Sequence, residues 1–176
     1  LIDAHPDILP VSVDTGTARG FGSRRHYDFS SDTYRDEAVR ISEILAQRYG
    51  EDPRVVGWQV DNELCCHDTA HSASPATRAA FQAWCRQRYG TIGALNAAWG
   101  NVFWSMEYPD FDSLELPTLA VTETNPSHRL AYRRFSSDQV IRFHNACVDA
   151  LRRHSKDQWI THNFIPMKDT QTDCFA

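Results

Sequence analysis

The chain has 176 residues, 41% of them hydrophobic, and a formal net charge of −5. That length can bury a proper single core, and the apolar share excludes a disordered chain. The acidic balance gives no electrostatic reason to expect nucleic acid or an anionic membrane as partner, and no apolar run is long enough to cross a bilayer.

Residues 1 to about 31 read as irregular, with Pro6 and Pro10 breaking helices and Gly16, Gly20 and Gly22 offering turn positions. A stretch this long without its own elements is usually functional or disordered, and it carries the basic run Arg24-Arg25-His26-Tyr27. An amphipathic helix is predicted from about Asp32 to Tyr49, with Val39, Ile41, Ile44 and Leu45 as its apolar stripe. Ser31 or Asp32 can cap it, and Gly50 can end it in the left-handed conformation. Val55 to Val60 then reads as a short buried strand running directly into Asp61-Asn62-Glu63.

Ser74-Pro75 opens a helix to about Tyr89, stopped by Gly90, and Thr91 begins a short helix ending near Trp99-Gly100. Residues 101 to 124 form a long connection. Asn125-Pro126 opens a long helix to about His154, with Leu130, Phe135, Val140, Phe143, Cys147 and Leu151 on or near its buried face. Trp159 to Phe164 reads as a second strand, and the rest is loop-like. The alternation predicts an α/β protein built from βα units around a parallel sheet. Two strands cannot close a barrel, so residues 1–176 are expected to be one incomplete barrel domain.

The five cysteines are odd in number and lack disulfide-framework spacing, which points to a reducing, cytoplasmic setting. No secretory signal is visible, which says little because the chain does not begin with Met. His67 and His71, with Cys66, could hold a metal but lack a fourth ligand; the plainer reading is a polar loop. Neither a metal nor another cofactor is expected. Most of the five tryptophans read as core, with Trp104 the best candidate for a rim or subunit contact.

The chemistry-bearing feature is Glu63. Polar residues at the carboxyl end of a buried strand are where α/β barrels put catalytic groups. A catalytic acid must hold its proton near neutral pH, which burial near aromatics and a nearby negative charge both favour. Asn62 beside it offers an amide donor and acceptor suited to a sugar hydroxyl. On alternation, Asp61 should point away from Asn62, to arginine or backbone partners. From periodicity alone, a salt bridge or a loop cap explains Glu63 equally well.

Val55-Val56-Gly57-Trp58-Gln59-Val60-Asp61-Asn62-Glu63, followed by Cys66-His67-Asp68-Thr69, resembles the family 42 β-galactosidases of glycoside hydrolase clan A. The likeness continues through His5-Pro6-Asp7-Ile8-Leu9-Pro10, Gly22-Ser23-Arg24-Arg25-His26-Tyr27, Arg88-Tyr89-Gly90-Thr91-Ile92, Leu95 to Gly100, Phe103-Trp104-Ser105, Asn125-Pro126-Ser127-His128 and Thr161-His162-Asn163-Phe164. It implies a (β/α)₈ TIM barrel of which this chain holds about strands 4 and 5. It implies retaining hydrolysis of terminal β-D-galactosides, with Glu63 as acid/base, Asn62 bonding the sugar 2-hydroxyl and Arg24 contacting sugar. Without the likeness, Arg24 reads as a loop-anchoring ion pair.

The resemblance places the nucleophile on the seventh strand, so Glu107, Glu115 and Glu123 should not fill that role. Some relatives in this family hold a structural zinc with four cysteines. The matching positions here are Asp28, Ser72, Ser74 and Thr77, which cannot form a thiolate cage, so no such zinc is expected. A homotrimer is a further implication. Two other functions fit the residues: another clan A glycosidase, for instance of α-L-arabinosidase type, and a non-catalytic carbohydrate-binding module. The Asn-Glu pair does not separate the first; sugar binding by the isolated 176-residue unit would favour the second.

Overall fold

The structure, a computed structural model, describes residues 1–23 and 26–163. Arg24, Arg25 and everything from Phe164 onward, Cys174 included, lie outside the described residues. Helix α1 spans Asp32–Tyr49, strand β1 Gly57–Gln59, α2 Pro75–Tyr89, α3 Ile92–Trp99, α4 Pro126–Arg152 and strand β2 Trp159–Thr161. Single 3₁₀ turns stand at Pro6–Ile8, Cys66–Asp68 and Phe103–Ser105.

The two strands are parallel neighbours, with Gly57 opposite Trp159, Trp58 opposite Ile160 and Gln59 opposite Thr161. Parallel strands need a long crossover, and α2, α3 and α4 supply it. The Val60 N–H donates to the Thr161 carbonyl at 3.0 Å, which extends the ladder by one bond. Both carboxyl ends therefore deliver their next residues, Asp61–Glu63 and His162–Asn163, to one edge. This is the repeating unit of the (β/α)₈ barrel, and the chain is a part of such a barrel.

The helix starts follow the predicted caps. Ser31 accepts from the Tyr34 N–H at 3.3 Å, Ser74 from Thr77 at 3.0 Å, Thr91 from Ala94 at 3.2 Å and Asn125 from Ser127 at 2.8 Å. Gly50 differs from expectation: its φ is −65°, right-handed rather than left-handed. A Cβ there would lie 2.0 Å from the His154 carbonyl oxygen, so close approach of two backbones, not helix termination, requires glycine.

Helix α4 is the wall shared by two apolar clusters. On one side Tyr132 and Phe135 meet Phe81 and Cys85 of α2 and Leu95 and Trp99 of α3. On the other, Val140, Phe143, Cys147 and Leu151 meet Ala46 of α1 and Val60. A side chain such as Phe81, fully buried, contributes about 1.5–3 kcal/mol by leaving water. Leu130, expected on the buried face of α4, is exposed, because Ala131 and Tyr132 take the inward positions.

Two further expectations need correction. The strands are three residues long and partly exposed rather than buried, since a two-stranded sheet leaves outer edges uncovered. On α1, Ile41, Ile44 and Leu45 are exposed, and only Ala46 is buried. That stripe does not face α4. Among the described residues no helix is long and apolar enough to cross a membrane.

Candidate active site

The strand-end residues form one hydrogen-bonded group. Asn163 Oδ1 accepts from Gln59 Nε2 at 2.9 Å and from the Glu63 backbone N–H at 3.2 Å. Asn163 Nδ2 donates to Asn62 Oδ1 at 3.0 Å. Gln59 Nε2 also donates to the Asp61 carbonyl at 3.2 Å, and His162 Nδ1 donates to the Val60 carbonyl at 2.9 Å. Glu63 is half-buried and Asn62 exposed, so the carboxyl group is partly shielded beside an accessible amide.

Asp61 does not behave as alternation predicts. Its Oδ1 accepts from the Asn62 N–H at 2.6 Å, a backbone partner as expected, yet Asp61 and Asn62 line the same cleft. Alternation holds only in extended backbone, and Asp61 has φ +59°. Glu63, Cys65, His67 and Asp68 also have positive φ. Left-handed conformations at non-glycine residues are held at a cost and concentrate where function fixes the backbone. Arg19 braces the segment, its Nη2 donating to the His67 carbonyl at 3.0 Å.

The cleft beside Asn62 has a volume of about 240 Å³ and is lined by His26, Tyr27, Phe29, Tyr34, Asp61, Asn62 and Leu64. Burial, followed by the Asp61 carboxylate, pushes the Tyr34 phenol well above its ordinary value and keeps it a neutral donor. Tyr27 and Tyr34, 4.8 Å apart between ring centroids, give the cleft an aromatic wall. Sequence reasoning missed these tyrosines and Gln59; nothing in the spacing ties the start of α1 to the end of β1. Asn163 bonds Asn62 and Glu63, and it is not among the residues lining the cleft. Arg24 lies outside the described residues.

A larger cavity, about 960 Å³, lies between the starts of α2 and α4 and the 105–124 connection. Glu107, Glu115 and Glu123 all border it, and none borders the cleft. Glu115 pairs with Arg78 at 2.7 Å. These carboxylates therefore do not converge with Glu63.

Asp28, Ser72, Ser74 and Thr77 do converge, all buried. Asp28 Oδ2 accepts from Ser72 Oγ at 2.7 Å, Ser74 Oγ at 2.5 Å and Thr77 Oγ1 at 3.1 Å, while Oδ1 accepts from the Ser30 N–H at 2.8 Å. One carboxylate and three neutral hydroxyls turned toward it do not fit zinc, which takes thiolate, imidazole and carboxylate ligands. His71 is likewise engaged elsewhere, with Nδ1 3.0 Å from Ser136 Oγ and its ring stacked on Tyr132. No metal-binding group of three such ligands occurs among the described residues. Trp99 is core, but Trp159 is exposed and Trp104 is 81% exposed, stacked on Phe103.

The whole chain, residues 1–176, matches a family model described as Glyco_hydro_42, beta-galactosidase. It is 51% identical over its full length to a β-galactosidase of Thermus thermophilus, of which it covers 27%. Among solved structures, the β-galactosidase of the psychrophilic Marinomonas ef1 superposes with a TM-score of 0.94 at 51% identity, over 98% of this chain and 26% of that one. The Halorubrum lacusprofundi β-galactosidase superposes with a TM-score of 0.89 at 45% identity, over 93% of this chain and 24% of that one. The chain thus spans about a quarter of the length of the relatives it matches.

Proposed function

This chain belongs to the glycoside hydrolase family 42 β-galactosidases, and from that premise we propose that it forms the acid/base side of a retaining β-galactosidase active site. Residues 1–176 are then part of one catalytic barrel domain that acts on terminal β-D-galactosides. Glu63 gives its proton to the glycosidic oxygen as the bond to the anomeric carbon breaks, and a second carboxylate captures that carbon as a glycosyl ester. Glu63, now ionised, takes a proton from the water that hydrolyses the ester. The second carboxylate is assigned to no residue of this chain. Asn62 bonds the 2-hydroxyl, and Arg24 holds the sugar by charge-assisted hydrogen bonds. A cytoplasmic homotrimer is part of the same reading.

The observation that carries the reading is the fixed Glu63 backbone, held by Asn163 beside an exposed amide and an aromatic cleft at the carboxyl ends of two parallel strands. The test is Glu63→Gln in the complete enzyme. Turnover of lactose should fall by orders of magnitude, with a smaller loss on aryl galactosides whose leaving groups need little protonation. Unchanged turnover of both substrates would sink the assignment. Faster hydrolysis of α-L-arabinosides than of β-galactosides by the wild-type enzyme would move the substrate, not the acid/base.

A further inference from the structure

The amide of Asn62 has two possible orientations, and only one suits a given sugar contact. The surrounding bonds decide between them. A backbone N–H can only donate, so the Asn163 atom 3.2 Å from the Glu63 nitrogen must be its oxygen. Gln59 agrees: its nitrogen faces the Asp61 carbonyl, which can only accept, and the same nitrogen reaches Asn163 Oδ1. The other Asn163 atom is then the amide nitrogen, a donor. The Asn62 atom 3.0 Å away must be its oxygen. What remains of Asn62 is its NH₂ group, which has no partner among the described residues.

We propose that Asn163 is a positioning residue for the glycosidase reaction: it fixes Asn62 with its NH₂ toward the substrate, so that Asn62 donates to the oxygen of the sugar 2-hydroxyl. This rests on the reading of Asn62 as the residue that contacts that hydroxyl. The direction of the bond has a consequence. A donor into O2 leaves the hydroxyl's own proton available to a further acceptor, whereas a flipped amide would compete for that proton. The same Asn163 side chain holds the Glu63 nitrogen, so one residue sets the spacing of the sugar contact and the acid. Its place after β2 and theirs after β1 means that the parallel register itself aligns them.

The experiment compares an aryl β-D-galactoside with its 2-deoxy counterpart in the complete enzyme. In the wild type the 2-hydroxyl should be worth a large factor in kcat/KM, expressed mainly in kcat because the contact strengthens in the transition state. Asn163→Asp keeps both acceptor bonds, to Gln59 and Glu63, but cannot donate to Asn62. The factor for the 2-hydroxyl should shrink at least about tenfold, toward the value seen in Asn62→Ala. Should Asn163→Asp fail to fold, Asn163→Ala removes the same donor without adding charge and should show the same shrinkage. An Asn62→Ala, Asn163→Ala pair should lose less than the two single losses combined. A merely structural role predicts equal losses on both substrates and an unchanged factor, which would overturn the proposal. Absence of any 2-hydroxyl effect in the wild type, or full activity of Glu63→Gln, would instead overturn the reading on which it rests.

Discussion

Replacing Asp28 by alanine tests how the loop before α1 is joined to α2. The carboxylate is 2% exposed and receives three hydroxyl donors and one backbone N–H. Each hydrogen bond to a charged group contributes about 1.5–3 kcal/mol. The sum is not additive, because the hydroxyls can turn to one another: Ser74 Oγ and Thr77 Oγ1 are 3.1 Å apart. Ser74 must also keep capping α2, and Ser72 must keep accepting from the Val11 and Ser74 N–H groups, so their freedom is limited. A loss of about 3–5 kcal/mol follows for Asp28→Ala. Asp28→Asn keeps the shape and the Oδ1 acceptor for the Ser30 N–H but turns an NH₂ toward the three hydroxyls that met Oδ2, and should cost about 1–3 kcal/mol. Urea unfolding of the complete enzyme, with hydrogen exchange at the Thr77 amide, reads both quantities. Glu37→Ala, in an exposed pair with Arg40, serves as the unaffected control. A loss below about 1 kcal/mol for Asp28→Ala, with unaltered exchange at Thr77, would refute the argument.

Stability should also fall in mild acid. His128 is 4% exposed, stacked at 4.6 Å on Trp99, and burial lowers its pKa from 6.5 to about 4. Burial and then Arg133 lower His71 to about 4 as well. The unfolded chain binds these protons first, so stability present above pH 6.5 is lost as pH falls through 6.5 toward 4, by roughly 3 kcal/mol for His128. His128→Gln should flatten that slope by about half; an unchanged slope between those pH values would count against burial as the cause. Arg24→Ala should greatly weaken galactoside affinity or turnover, and wild-type kinetics would return Arg24 to a loop-anchoring ion pair. Elemental analysis of the purified enzyme should show no stoichiometric zinc at Asp28, Ser72, Ser74 and Thr77; one zinc per chain lost with Asp28→Ala would contradict this.

The sequence by itself determined what is local. Ser31, Ser74, Thr91 and Asn125 marked the helix starts because a cap is made within three residues of itself. The order of helices and strands followed from periodicity, and the strand-end position singled out Asp61-Asn62-Glu63. Only the tertiary structure decided what depends on residues far apart in the chain. Gly50 is required by a carbonyl about a hundred residues away, at His154. Ile41, Ile44 and Leu45 form a helical stripe, but which helix face is covered depends on what packs there, and α4 does not cover theirs. Asp61 left the alternating pattern because its backbone turned. Asp28 and the three hydroxyls became one buried cluster, and Asn163 became the partner of Asn62 and Glu63, because parallel pairing of β1 with β2 and packing on α4 brought separate segments within hydrogen-bond distance.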